Sequence, residues 1–304
     1  MKKLYQIILI ILLLLFSSVS GQAAVDYPVT VTDDLGRQVT ITQKPERIVS
    51  LAPSVTEILY ELDLENKLVG VTKFCNYPPQ AQKKKKVSSK NIESIIAQEP
   101  DLVIAAGIVP QKVIQRLQDL KIKVVGYKAN SIQESITIIK KIAKISGSEK
   151  KGAELGQRME SELANIKEKV QQRLTAKGEP PTVFYEVWKK PLRTTSNNTF
   201  INDLITTAGG QNIAVDAKGD WPQYSLEQLL TNNPDVYIAT AGSWKNEVTA
   251  AKIKARPNYS QLKAVKNDRV YVFNADIINR PGPRLIEGLK LFVKAIHPQI
   301  KLVD

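Results

Sequence analysis

Between Ser148 and Leu174 the apolar residues Leu155, Met159, Leu163, Ile166, Val170 and Leu174 recur in steps of four and three, and charged or polar residues fill the other faces. That spacing predicts one long helix with a single buried stripe. Gly147 before it and Gly178 after it mark its ends, and Ser148 stands where an N-cap belongs. About 27 residues rising 1.5 Å each make a strut of roughly 40 Å, long enough to cross a whole domain.

On either side of the strut, short β-rich runs alternate with helical spacing. VTVTDDLGRQVTIT reads as a hairpin around Asp34-Leu35-Gly36, and RIVSLAP as a strand. SVTEILYELDL then reads as a helix opened by a Ser54 to Glu57 capping box. LVGVTKF and KVVGYKA are further strands, NIESIIAQEPDLVIAAG is a helix running into a strand, and SIQESITIIKKIAKI is a helix. Beyond the strut come strand TVFYEVW, helix TFINDLITTAGG, helix-to-strand SLEQLLTNNPDVYIATAG, strand RVYVFNA and helix PRLIEGLKLFVKAI. Strand, turn, helix in repetition is the order of a parallel sheet, so the fold class is α/β with two doubly wound lobes. Residues 91–107 and 225–241 align without a gap at an offset of 134, pairing Glu93 with Glu227, Pro100 with Pro234, Asp101 with Asp235, Ile104 with Ile238 and Ala105 with Ala239. An internal duplication accounts for that match, and two like lobes on one strut leave a cleft between them for a ligand.

The amino terminus changes the picture. Lys2 and Lys3 precede an apolar run from Ile7 to Phe16 and a small, polar close at Gly21-Gln22-Ala23, the build of a cleavable export signal too short to span a bilayer. The chain therefore divides into a signal over 1–23, a lobe over 24–147, a connecting helix over 148–176 and a second lobe over 177–304, and the mature protein is expected to be soluble, monomeric and periplasmic. Cys75 is the sole cysteine, which leaves none for a lipid anchor near the cleavage site or for a disulfide. The formal charge of +13 falls to +11 without the two signal lysines. It does not point to nucleic acid, because the one dense run, Lys83 to Lys86, has no aromatic residues interleaved for base stacking.

Candidate chemistry is narrow. His297 is the only histidine and lies near the end of the last helix beside Pro298, so a receptor that grips a bare metal ion with converging imidazoles is nearly excluded, a Ser-His-Asp or Cys-His hydrolase would have to use that same residue, and no phosphate-binding glycine loop is present. What remains sits where the carboxyl ends of parallel strands should open into the cleft. These stretches are Phe74-Cys75-Asn76-Tyr77-Pro78-Pro79, Val187-Trp188, Trp221-Pro222-Gln223-Tyr224, and Asn274 to Arg284. Phe74, Tyr77, Trp188, Trp221 and Tyr224 would offer faces to a large, flat, partly apolar ligand.

Over nearly the whole mature chain, the segments PERIVSLAPSVTEI, GVTKFCNYPPQAQKK, NIESIIAQEPDLVIA, WPQYSLEQLL and DIINRPGPR carry a resemblance to the periplasmic substrate-binding proteins of the ABC importers for cobalamin, siderophores and haem, and to the cobalamin-binding members above all. The resemblance implies two Rossmann-like lobes joined by one long α-helix, no enzymatic activity, no resident cofactor or metal, and a corrinoid such as cobalamin as ligand. By the same likeness Trp221 packs against the corrinoid, Tyr77 contacts it, and Asp276 with Arg280 offers polar contacts. Glu93 and Glu227 match the positions through which such proteins dock, one glutamate per lobe, on a permease dimer. Ser89-Lys90 and Ala106-Gly107 stand where cobalamin-binding members carry aromatic residues. A haem receptor would use Tyr77 as axial ligand, a siderophore receptor would use Arg280 and Arg284, and an exported α/β enzyme would need a second titratable group beside Asp276.

Overall fold

The computed structural model describes residues 27–107, 109–242 and 248–302. The export signal read over Met1 to Ala23, and the mature start near Ala24, lie outside those residues. Two parallel sheets form the body. In the amino-terminal sheet the strands run in the order Lys86–Val87, Leu68–Thr72, Ile48–Ser50, Leu102–Ala106, Lys123–Tyr127. In the carboxy-terminal sheet the order is Gln211–Asn212, Thr182–Glu186, Val236–Ala241, Val270–Asn274. Setting aside the extra edge strand Lys86–Val87, each lobe places its first strand beside its second on one side and its third on the other. The lobes thus share a topology, as the duplication predicts.

Side chains alternate along these strands in the period of a sheet covered on both faces. Leu102 and Ile104 point into one core while Val103 and Ala105 point into another, and Val236 and Ile238 do the same against Tyr237 and Ala239. Asp101 and Asp235 also repeat one task. Each stands just before the third strand, and its carboxylate accepts from the backbone N–H groups that open the first: Glu46 at 2.7 Å and Arg47 at 3.1 Å in one lobe, Thr182 at 2.9 Å in the other.

The connecting helix, Glu149–Lys177, is 29 residues long. Its stripe is buried as its periodicity requires: Leu155, Met159, Leu163, Ile166 and Val170 are each at most 5% exposed and join one core with both sheets. Arg158 pairs with Glu61 of the first lobe at 3.1 Å, and Glu162 with Lys290 of the second at 2.8 Å, so the strut is tied to both bodies. Ser148 precedes the helix but does not cap it, because its hydroxyl donates to Leu62 O at 2.9 Å.

Two further expectations are corrected. The helix Pro53–Glu61 opens on Ala52 with Pro53 at its first position, so Ser54 caps nothing and Glu57 is free for other partners. The strand Thr182–Glu186 stops short of Trp188, which lies in a separate two-stranded ribbon, Trp188–Lys189 against Leu192–Arg193. Among the described residues no helix is long and apolar enough to cross a membrane.

Candidate functional site

A cavity of about 640 Å³ opens between the lobes, lined by residues that follow the carboxyl ends of strands in both sheets. Its wall is aromatic on both sides. Phe74 comes from the amino-terminal lobe, while Trp221 and Phe200 come from the carboxy-terminal lobe with their rings edge to face, centroids 6.5 Å apart. Phe74 and Trp221 are 36% and 38% exposed, unusually open for side chains of their size. Ala106, Gly107 and Ala129 leave the first-lobe side shallow.

The charged side chains that line the cavity pair off among themselves. Lys128 Nζ lies 3.3 Å from Asp220 Oδ2 across the two lobes, and Arg280 Nη2 lies 2.7 Å from Asp276 Oδ1. The second pair belongs to a larger buried cluster. Arg280 Nη1 donates to Glu57 Oε1 at 2.9 Å and to Asn76 Oδ1 at 2.8 Å, and Nη2 donates to Phe74 O at 3.2 Å. Asn76 Nδ2 donates to Asp276 Oδ2 at 2.7 Å, closing a ring between the lobes. Arg284 grips the same Glu57 with both sides of its fork, at 2.9 and 2.8 Å. Burial works against the Arg284 cation, but the hydrogen bonds and charge of Glu57 outweigh it and raise its pKa above the ordinary value.

Of the residues expected in the cleft, Phe74, Trp221, Asp276 and Arg280 line this cavity. Tyr77 does not. It borders a second cavity of about 610 Å³ on the Glu57 and Arg284 side of the cluster, with the Arg284 guanidinium 3.8 Å from its ring centroid. Trp188 is 45% exposed in its ribbon and donates to Lys190 O at 2.8 Å, away from the cavity lining. Tyr224 is buried, its ring 5.4 Å from that of Phe184 and its hydroxyl accepting from Asn232 at 2.6 Å. Its side chain is part of the buried core that includes Phe184, Leu229 and Tyr237. Glu93 and Glu227 are exposed in the first turns of Glu93–Ile96 and Leu226–Asn232, one per lobe. Cys75 is buried, within 3.2 Å of the Thr72 hydroxyl.

Reading the sequence missed Phe200, Lys128, Tyr127 and Glu57. Lys128 follows KVVGY, and the rule that ligands meet the carboxyl ends of parallel strands already nominates that loop. Tyr127 ends the same strand and lines the cavity; its buried hydroxyl has no partner among the described residues, and burial, with Asp34 and Asp33 nearby, pushes its pKa well up. Glu57 was hidden by its spacing to Ser54. The better signal was an acidic residue set among Val55, Ile58 and Leu59 on a helix face that had to be buried.

Two doubly wound lobes fixed to one helical strut, with an aromatic-walled cavity where their strands end, define a two-lobed solute-binding protein. Comparison with known proteins gives the particular family: the chain belongs to the periplasmic binding protein family, whose description matches residues 48–277. It is 37% identical over 279 residues to an uncharacterized ABC transporter substrate-binding lipoprotein, YvrC, of Bacillus subtilis (strain 168), covering 90% of this chain and 86% of that one. A crystal structure of a possible iron-binding, periplasmic solute-binding protein from Staphylococcus epidermidis superposes with a TM-score of 0.72 at 35% identity, over 84% of this chain and 100% of that one. The periplasmic vitamin B12-binding protein BtuF of Vibrio cholerae superposes with a TM-score of 0.72 at 29% identity, over 85% of this chain and 99% of that one. The family and these relatives bind solutes and are not enzymes.

Proposed function

We propose that this protein captures a corrinoid such as cobalamin in the periplasm, after loss of the signal over 1–23, and delivers it as a monomer to the permease dimer of an ABC importer. The observation that carries the reading is the cavity itself. Its walls are apolar and aromatic, and every charged side chain lining it among the described residues is matched by an opposite charge. A corrinoid suits such a site, being a broad, flat chelate whose rim bears neutral amides. Asn130 and Asn198 at the lining can exchange hydrogen bonds with amides, while Trp221, Phe200 and Phe74 can cover the macrocycle. The vitamin B12-binding relative lends support. In this reading the corrinoid is cargo and the protein holds no resident cofactor or metal.

The iron-binding description of the Staphylococcus relative favours haem or a ferric siderophore as the second reading. The geometry gives it less support. Tyr77 lies outside the cavity, the buried Tyr127 hydroxyl resists forming the phenolate that iron takes, and Arg280 and Arg284 are already paired. Incubating the purified protein with cyanocobalamin, haem or a ferric catecholate, then desalting and recording the visible spectrum, separates the readings. Retention of the corrinoid spectrum is expected; retention of haem or ferric chelate alone overturns the proposal.

A further inference from the structure

We infer that Glu57, which does not itself line the cavity, sets its charge preference by pairing with two arginines of the opposite lobe, Arg280 and Arg284, whose charges it balances together with Asp276. The inference rests on the reading of the cavity as a site for an uncharged chelate. Glu57 sits one turn along the helix whose first residues, Pro53 and Ser54, form part of the cavity wall. Both of its carboxylate oxygens are committed, Oε1 to Arg280 and Arg284 and Oε2 to Arg284, and the residue is 2% exposed. Arg280 carries the effect to the ligand, since it is 7% exposed and lines the cavity with its partner Asp276. The cluster of Glu57, Asp276, Arg280 and Arg284 sums to zero.

Removal of Glu57 would leave one positive charge beside a cavity walled by low-dielectric aromatic groups, where screening is weak and a carboxylate on the ligand is strongly favoured. With Glu57 in place that attraction is absent. Glu57 is thus a specificity-determining residue acting through Arg280, and ligands bearing free carboxylates are disfavoured as a class. A purely structural staple between lobes would instead weaken all ligands alike.

The test uses two ligands on one scaffold, cyanocobalamin and its monocarboxylate derivative, which differ by a single charge. Their Kd ratio is measured by titration calorimetry on the mature protein and on three variants that step the cluster charge: Glu57→Gln, Arg284→Gln, and the two together. Relative to wild type, the ratio should move about tenfold toward the carboxylate in Glu57→Gln, move away from it in Arg284→Gln, and return in the double variant. A ratio that stays constant across the folded variants overturns the inference, as does a double variant that behaves like Glu57→Gln. Should Glu57→Gln fail to fold, the Arg284→Gln and double variants still decide. Failure of wild type to bind either corrinoid would refute the proposed ligand alone. The ratio would then be read with haem and its uncharged dimethyl ester, by the same criteria.

Discussion

Trp221 is the residue on which ligand affinity should depend most. Its ring is 38% exposed and braced edge-on by Phe200, so an open part of its surface is held ready for a partner. Trp221→Ala is expected to weaken corrinoid binding by about 1–3 kcal/mol in a calorimetric titration on the folded variant. Asp33 governs a different property. Burial pushes its carboxyl up, but bonds from Arg37 and the backbone N–H of Gly126 outweigh burial and hold it below the ordinary carboxylate value. A depressed folded-state pKa contributes stability that is present above the unfolded value, near pH 4, and is lost as pH falls through the folded value. Asp33→Asn should therefore lower stability at pH 7 by about 1–3 kcal/mol and flatten the loss of stability in acid, as read by denaturant melts from pH 7 to 3. The sequence showed the turn at Asp34-Leu35-Gly36 but not this role of Asp33, because Gly126 lies 93 residues away and only the folded sheet brings it near.

The elements were the more legible part. Alternating and 3.6-period patterns report which face is buried, so the strands, the strut and its stripe could be read directly. The 134-residue repeat disclosed the shared topology, since Asp101 and Asp235 hold the same strand-opening position in each lobe. What spacing could not disclose was which polar residues would meet across the cleft: Glu57 and Arg280 are 223 residues apart and no local pattern links them. Tyr224 and Trp188 show the converse failure, for an aromatic beside a turn has no marker that says whether it faces ligand, core or solvent. The strut also carries a prediction of its own. An added Cβ at Gly152 would lie 2.1 Å from the Ala143 Cβ of the helix Ile132–Ile145, which cannot yield without moving backbone, whereas at Gly156 it would meet the flexible end of Lys140. Gly152→Ala should cost about 1–3 kcal/mol, and Gly156→Ala should be neutral or stabilising by up to about 1 kcal/mol, in matched chemical denaturations.

At the scale of the whole molecule, one core runs from each sheet into the strut, and buried ion pairs cross the cleft behind the cavity. Such a body should close little on its ligand. Small-angle scattering with and without cobalamin is expected to give the same radius of gyration within error, and a large fall on binding would contradict the rigid-strut account. The two exposed glutamates, Glu93 and Glu227, stand in equivalent first turns of the two lobes, and the docking proposed on a permease dimer would use one from each lobe. Replacing both with Ala should leave cobalamin affinity intact and cost little stability yet abolish uptake in a reconstituted importer. Uptake at the wild-type rate would reduce them to helix-dipole residues. The proposed role in uptake turns on the cleft taking a corrinoid. Isothermal titration of the mature protein with cyanocobalamin, run beside haem under the same conditions, tests that most directly. Saturable one-to-one binding of cyanocobalamin and markedly weaker binding of haem are expected; absence of any cobalamin isotherm while haem saturates the protein would contradict a corrinoid-binding cleft.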